Sequence, residues 1–246
     1  MIPTYACLAR AGFWKRTLEE AATFTRQAVT FENAREPSGP LHLINFDSPD
    51  KIEECKVMGD FHLSGFSTAD LDYHAVAPGQ PSHARFHGNI SLELPPNRPE
   101  IQRSGFAGWR TRDQQRTLFG RPTWNTDRYR YLAVLFKSDA RKYYINLQTK
   151  SIVPTDIHQH RLYAKKPGEW ETAWINWDDF VRTNHGLAVE PQTEMNRQYV
   201  KSIGISIIDR VPGTYDLSIA KMWATNEDPR PVEEDYQGTE QPVEQR

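Results

Sequence analysis

Long apolar runs are missing from this sequence of 246 residues, and so is a disulfide framework. No run approaches the roughly 20 apolar residues that span a bilayer, and the N-terminus has no continuous apolar segment like that of a secretory signal. Only two cysteines occur, Cys7 and Cys55, which fits a reducing compartment. We therefore expect a soluble protein that is not secreted.

The motifs of common enzyme classes are missing as well. The sequence has no G-x-G-x-x-G or G-x-x-x-x-G-K-[ST] phosphate loop, no H-E-x-x-H or C-x-x-C metal motif and no G-x-S-x-G nucleophile elbow. Its acid pairs, Glu53-Glu54 and Asp178-Asp179, are adjacent, whereas glycosidase carboxylates face each other across a bond. We predict that the chain is not an enzyme and has no catalytic residues, no cofactor and no metal site.

A large net charge is lacking too, because 30 basic and 32 acidic residues give a formal net charge of -2. No global field attracts nucleic acid or an anionic membrane, so any such contact is local. The segments 128–131 (RYRY) and 141–144 (RKYY) interleave cations with aromatic rings, a composition that can bind single-stranded RNA. Alternation along a strand also separates rings from cations, and we favour this structural interpretation.

The chain does contain an amphipathic helical pattern near its N-terminus, over residues 13–29. A segment with two prolines and a glycine at 36–40 ends this pattern, because these residues do not continue a helix. The predicted apolar face of the helix consists of Trp14, Leu18, Ala21 or Ala22, Thr25 and Val29.

The C-terminal end is rich in acidic residues and proline and nearly free of apolar residues, which indicates a flexible tail. The predicted organisation is therefore an N-terminal segment with the amphipathic helix at 1–36, a folded domain at 37–226 and a disordered acidic tail at 227–246.

Between these ends, short apolar or alternating runs are separated by Gly, Pro, Asn and Asp, which is typical of an antiparallel β-sandwich. The run 132–136 is apolar on both faces and predicts a central strand. Tyr143, Ile145 and Leu147 alternate with polar residues and predict a strand with one polar face. The predicted strands are 41–46, 85–94, 105–111, 131–137, 142–149, 158–163, 170–175, 203–208 and 215–223, with a short helical turn at 177–181.

Two side-chain pairs have a spacing compatible with ligand binding. His158 and His160 share a strand face and can bind one ion if Asp156 or His185 supplies a third ligand, but we favour satisfied structural histidines. Trp170 and Trp174 also share a strand face. Exposed indoles suit sugar stacking, but tryptophan in a sandwich more often belongs to the core, and we favour that interpretation.

An ordered series of segments resembles the complex I intermediate-associated protein family, the thirty-kilodalton-type assembly factors of mitochondrial NADH:ubiquinone oxidoreductase. The resemblance extends from about Leu41 to Asn226. The segments are 105–111 (GFAGWRT), 129–133 (YRYLA), 139–146 (DARKYYIN), 168–171 (GEWE), 177–180 (WDDF), 201–206 (KSIGIS) and 209–215 (DRVPGTY).

This resemblance implies a galactose-binding-domain-like jelly-roll sandwich without an enzymatic role. It also implies an assembly chaperone on the matrix side of the mitochondrial inner membrane, which binds early membrane-arm intermediates of complex I together with other assembly factors. The basic, acid-free residues 1–18 are then expected to act as an import signal. Neither nucleic acid nor a small-molecule substrate is an expected partner.

Six residues are our candidates for partner binding. Trp14 and Leu18 lie on the helix face that we expect to pack on a partner or on the inner membrane. Trp109 and Arg110 can form a contact patch, although core packing is the favoured interpretation of this segment. The remaining candidates are the cations Arg128 and Arg130.

Two other functions stay open at this point. A carbohydrate-binding module would present exposed tryptophans along a groove, often with a structural calcium ion. An RNA-binding module would use the cations of the two aromatic segments, which are Arg128, Arg130, Arg141 and Lys142.

Overall fold

The computed structural model describes residues 12–22, 25, 37, 39–96, 98–151, 153, 155–184 and 186–227. Helix α1 covers residues 12–22 and thus includes the first half of the predicted amphipathic helix. The predicted import signal up to residue 11, most of the second half of the helix and the acidic tail beyond Glu227 lie outside the described residues.

Two antiparallel β-sheets form the domain. Sheet A has the strand order β3-β4-β13-β6-β9, with β1 paired to β13, and sheet B has the order β11-β10-β8-β7-β12-β5-β2. The elements after α1 are β1 (Leu41–Asn45), α2 (Asp50–Glu53), β2 (Cys55–Gly59), β3 (Thr68–His74), β4 (His83–Ile90), β5 (Ala107–Thr111), β6 (Tyr131–Ser138), β7 (Tyr143–Thr149), β8 (Asp156–Leu162), β9 (Glu171–Asn176), β10 (Val181–Asn184), β11 (Leu187–Ala188), β12 (Val200–Ile207) and β13 (Gly213–Thr225).

Alternation of side chains along the strands produces the core between the two sheets. In β7, Tyr143, Ile145 and Leu147 are buried and the residues between them are half-buried, as the pattern predicts. One hydrophobic cluster contains side chains of both sheets, such as Phe86 from sheet A and Ile205 from sheet B. Each fully buried side chain of this kind contributes about 1.5–3 kcal/mol, so this shared core stabilises the sandwich.

Every predicted strand coincides with an observed strand, although bounds shift by a few residues, and a 3-10 turn forms at Trp177–Asp179 as predicted. Strands β2, β3, β10 and β11 were not predicted. Three of them are edge strands, and β10 lies next to the edge. Their patterns are weak because edge strands bury fewer side chains and tolerate residues such as the aspartates of β3, which are rare in strands.

Candidate partner-binding surface

Helix α1 turns its predicted apolar face away from the domain. Trp14 is 56% exposed and Leu18 is 68% exposed. The side of α1 that faces the domain carries Thr17, which is buried and accepts a hydrogen bond at 3.2 Å from the main-chain N–H of Leu118. Amphipathic helices of globular domains normally bury their apolar face, so the outward orientation makes this face available to a partner.

A tight turn at 117–120, in the connection between β5 and β6, adds two apolar side chains beside α1. Leu118 is 64% exposed and Phe119 is 55% exposed. Thr117 fixes the turn because its N–H and its hydroxyl both donate to the carbonyl oxygen of Gly120, at 2.6 and 3.0 Å. Gly120 has a φ of 111°, which favours glycine. The apolar surface, as we define it, consists of Trp14, Leu18, Leu118 and Phe119.

Exposed cations border the apolar surface. Lys15 follows Trp14 in α1, and Arg116 precedes the 117–120 turn. Arg121 follows the turn and donates to the carboxylate of Asp113 at 2.6 Å. Apolar side chains with a polar and charged border are typical of interaction sites in soluble domains.

Trp109 and Arg110 lie on opposite faces of β5. Trp109 is 1% exposed, and its ring packs edge-on against Phe46 with 5.5 Å between the centroids. It therefore belongs to the core, as the favoured interpretation had it. Arg110 points outward and donates to Asp113 at 3.0 Å. Of these two residues, only Arg110 is placed to meet a partner.

Arg128 and Arg130 line one surface cavity of about 420 Å³ together with Arg197. Asn226 fixes the main chain here, because its side chain accepts from the N–H of Arg130 at 2.8 Å and donates to the carbonyl of Arg128 at 2.9 Å. Carboxylates also line the cavity, and Asp178 lies 3.4 Å from Arg197. The pair is thus brought together, but in a cavity where cations and acids are mixed.

The interleaved aromatic and basic segments lie at the starts of β6 and β7, where residues 128–130 precede β6 and Tyr131 and Tyr143 begin the strands. Tyr129 and Tyr143 are buried, so their rings are not available for base stacking. Arg141 forms an ion pair with Asp209 at 2.8 Å and donates to main-chain carbonyls of residues 211–214. Tyr129, Tyr143 and Arg141 therefore have structural roles.

The expectation that Trp170 and Trp174 belong to the core is wrong. Trp174 is 39% exposed because it points outward from sheet A, on the side opposite the buried Ile175. Trp170 precedes the strand, and its ring lies edge-on to His83 at 5.1 Å and below the amine of Lys137 at 5.8 Å. Neighbouring side chains therefore cover Trp170, which leaves no open row of indoles for a sugar.

His158 and His160 both point toward the interior. Burial lowers the pKa of both, and the charge of Arg182 lowers that of His158 further, so both rings are neutral near pH 7. Neither Nδ1 atom has a hydrogen-bond partner within the described chain. The expectation that the hydrogen-bonding atoms of these rings are satisfied is therefore not met at Nδ1. In the same part of the chain no group of three potential metal ligands occurs, and His185 lies outside it.

The structure also reveals residues that the sequence patterns did not single out. Leu118 and Phe119 are two adjacent apolar residues in the polar stretch 112–121, and this isolation is the signal that could have found them. Lys56, opposite Arg110 on the neighbouring strand, has no such signal because only the strand register shows the juxtaposition.

Comparison with solved structures supports the fold. A family 11 carbohydrate-binding module from Clostridium thermocellum, solved with a mixed-linked tetrasaccharide, matches with a TM-score of 0.53 at 10% identity, over 77% of this chain and 97% of the module. At this identity the match shows only the fold, a β-sandwich of the galactose-binding-like type. No helix in the described ranges is long and apolar enough to cross a membrane.

Comparison with known sequences identifies relatives along most of the chain. The protein is 48% identical over 235 residues to the Neurospora crassa protein called complex I intermediate-associated protein 30, mitochondrial, which covers 87% of this chain and 84% of that protein. The Drosophila melanogaster protein of the same name is 26% identical over 216 residues, covering 83% and 71%. The model of the family described as complex I intermediate-associated protein 30 (CIA30) matches residues 44–219. The chain therefore belongs to the complex I intermediate-associated protein 30 family.

Proposed function

We propose that this protein is a non-catalytic assembly factor that binds early membrane-arm intermediates of complex I on the matrix side of the mitochondrial inner membrane. Family membership supports this proposal, and so do the names of the relatives, which refer to complex I intermediates and to mitochondria. The observation that carries it is the apolar surface, which presents four large side chains to solvent on two linked elements.

The apolar surface suits an incomplete protein complex. An intermediate that lacks its later subunits exposes apolar area that those subunits cover in the mature complex. Burying each large apolar side chain of the surface against such an intermediate contributes about 1.5–3 kcal/mol before the costs of association. The hydrogen bond between Thr17 and Leu118 holds α1 on the domain, so little order has to be gained on binding.

The chemistry of the titratable side chains supports a non-catalytic role. Cys55 is buried, and burial raises the pKa of its thiol to about 12, so it is a poor nucleophile. The adjacent acids Asp178 and Asp179 lie in a short turn, and Asp178 faces Arg197. His158 is buried, and the ring of His160 packs against Phe180 and Tyr163.

The test is purification of the tagged protein from mitochondria, followed by mass spectrometry of the proteins that accompany it. The wild type is expected to recover membrane-arm subunits and other assembly factors without the mature complex. The variant Trp14→Gln with Leu18→Gln and Leu118→Gln should lose most of this recovery while its melting temperature stays within a few degrees of wild type. Deleting residues 1–36 should leave a folded domain with weaker recruitment.

The matched control is Val76→Gln, because Val76 is equally apolar and 74% exposed but lies in the β3–β4 hairpin. Unchanged recovery with the triple variant would remove the apolar surface from the proposal. If the triple variant still recovers the subunits but no longer binds anionic phospholipid vesicles, the apolar surface is assigned to the bilayer instead. Recovery of RNA or glycoprotein in place of complex I subunits would overturn the function itself.

A further inference from the structure

Cations gather on the outward side of sheet B, at the end formed by β2, β5 and β12. Lys56 of β2 and Arg110 of β5 stand directly opposite each other in the strand register. Like charges in this position repel each other and destabilise a sheet. Lys56 forms no ion pair within the described part of the chain, and Arg110 shares its one carboxylate partner there, Asp113, with Arg121.

Asp113 is the carboxylate at the centre of this group of cations. Burial raises its pKa, but the hydrogen bond from Arg110 and the charges of Arg110, Lys201 and Arg121 outweigh burial and hold the pKa below its usual value. One carboxylate therefore faces three cations, namely Arg110, Arg121 and Lys201, and Lys56 lies opposite Arg110 on the neighbouring strand. The local charge is strongly positive in a protein whose formal net charge is -2.

A cavity of about 230 Å³ opens beside these cations on the outward face of sheet B. In the strand register Gly204 of β12 lies between Arg110 of β5 and Asn146 of β7. Glycine is required there, because a Cβ atom would lie 2.0 Å from the carbonyl oxygen of Trp109. Because Gly204 has no side chain, the outward face has a gap between the side chains of Arg110 and Asn146.

Across from Arg110 the cavity is lined by the neutral amides of Asn146 and Gln148, and a chain of hydrogen bonds behind the cavity fixes Asn146. Gln159 donates to Asn146 at 2.7 Å, and Asn146 donates to Ser206 at 2.9 Å. The hydroxyl of Thr183 donates to Gln159 at 2.9 Å, so the amides are held in one orientation. Each side-chain amide has two N–H groups and two oxygen lone pairs, so it can still bind a main-chain amide of a ligand.

We call this cavity and its cationic end the cationic trench. Its residues are Met58, Trp109, Arg110, Asn146, Leu147, Gln148, Thr155, Ile157 and Ser202 along the cavity, with Lys56, Arg121 and Lys201 at the end.

We propose that the cationic trench binds an extended, acidic peptide segment of a partner protein. Carboxylates of the peptide pair with Lys56 and Lys201 and relieve their repulsion with Arg110. Main-chain amides of the peptide bind the side-chain amides of Asn146 and Gln148. In the described part of the chain, the only aromatic residue along the cavity is the buried Trp109, so the trench offers no platform for stacking bases or sugars.

The experiment measures binding of a fluorescein-labelled peptide of alternating Glu and Ser to the full chain by fluorescence anisotropy. Peptides in which Gln or Lys replaces Glu serve as probes of charge. We expect binding of the Glu peptide only, weakening as salt is added. The double variant Lys56→Gln with Lys201→Gln should bind about tenfold more weakly, since each lost charge pair is worth up to about fivefold.

The matched control is Lys166→Gln, because Lys166 is an exposed lysine between β8 and β9, away from the trench. A melting temperature at or above that of wild type shows that the double variant is folded. Equal affinity for the Glu and Gln peptides, or equal affinity of the double variant and the control, would overturn the proposal. Displacement of the peptide by oligouridylate at lower concentration than by unlabelled peptide would also overturn it, in favour of nucleic acid.

The titration uses the isolated protein and needs no complex I intermediate. Its failure would therefore leave the proposed assembly function standing, and loss of subunit recovery through the apolar surface would leave the trench standing.

Discussion

The outward faces of the two sheets differ in how they balance charge. On sheet A, Arg85 of β4 forms a two-pronged ion pair with Asp216 of β13, with a shortest distance of 2.7 Å. On sheet B, Lys56 faces Arg110 across β2 and β5, and the nearest carboxylate, Asp113, is shared between guanidinium groups. At these two places, the open sheet face carries a compensated ion pair on sheet A and two opposed cations on sheet B.

This difference indicates on which sheet face a charged ligand can gain binding energy. A face that pairs its own charges gains little from a charged ligand, because binding has to break existing pairs. A face with opposed like charges is less stable in the free protein and regains that stability when an anion binds. Local electrostatic imbalance thus marks sheet B, although total composition hides it.

The largest effect that separates the two faces is expected at a glycine. In Gly204→Ala the new Cβ would lie 2.0 Å from the carbonyl oxygen of Trp109 and 2.6 Å from the Cα of Arg110. Strands β5 and β12 are both paired on each side and cannot move apart. We expect a loss of about 3 kcal/mol or more in the free energy of unfolding, measured by urea titration.

Sheet A offers the matched case. In Gly88→Ala the new Cβ would lie 2.1 Å from the carbonyl oxygen of Thr68, but Thr68 belongs to the edge strand β3, which can shift outward. The loss should therefore be smaller than for Gly204→Ala. Gly39→Ala, where nothing lies within 4 Å, should change little. A larger loss at Gly88 than at Gly204 would contradict the view that the spacing of β5 and β12 is more constrained than that of β3 and β4.

Much of this fold can be predicted from the sequence, because burial on one face leaves a period-two pattern. The residues Tyr143, Ile145 and Leu147 gave both the position and the orientation of β7. Edge strands escape this reasoning, since β3 alternates Leu71 with aspartates and buries only that leucine fully. The outward position of Trp174 shows the converse error, in which a residue type common in cores lies on the surface.

The candidate sites were less predictable than the fold. The pattern of α1 revealed Trp14 and Leu18 as one face, but not that the face points away from the domain. That orientation depends on the hydrogen bond from Leu118 to Thr17, whose partners are 101 positions apart. The opposition of Lys56 and Arg110 likewise depends on strand register, which one sequence does not specify across distant strands.

The next largest effect concerns the carboxylate that offsets the sheet B cations. Asp113→Asn removes the partner of Arg110 and Arg121 and leaves these two cations and Lys201 without that carboxylate. We expect a loss of about 1–2 kcal/mol in the free energy of unfolding, partly recovered in high salt. On sheet A, Asp216→Asn should cost less, because the pair with Arg85 is nearly half exposed. Equal losses, or a loss for Asp113→Asn that does not respond to salt, would speak against an electrostatic imbalance.

A smaller effect of pH on stability is expected from two histidines on the core side of sheet B, which pair with Leu147 and Ile145 in the strand register. Burial lowers the pKa of His158 and His160 from the usual 6.5, so the unfolded chain takes up protons before the folded protein does. Stability is therefore fully present above about pH 6.5 and is lost as the pH falls toward the lower folded-state pKa values. Thermal melts across this range should show the loss.

The variant His160→Phe tests this origin, because a phenyl ring can keep the contacts with Phe180 and Tyr163. It should flatten the pH dependence below 6.5, whereas His42→Gln, at an exposed position in β1, should not. A pH profile of His160→Phe identical to that of wild type would assign the acid sensitivity to other groups.

The smallest expected effect compares the two faces most directly, because the change in the free energy of unfolding should have opposite signs on them. Arg85→Gln breaks a half-exposed ion pair on sheet A and should lower the free energy of unfolding by less than about 1 kcal/mol. Lys56→Gln removes a charge opposite Arg110 on sheet B and should raise it by a few tenths of a kcal/mol. Paired urea titrations of both variants at low salt resolve this difference, and added salt should shrink both changes toward zero. If Lys56→Gln lowers stability as Arg85→Gln does, Lys56 has a structural role in β2, and the positive face of sheet B is then no sign of a missing ligand.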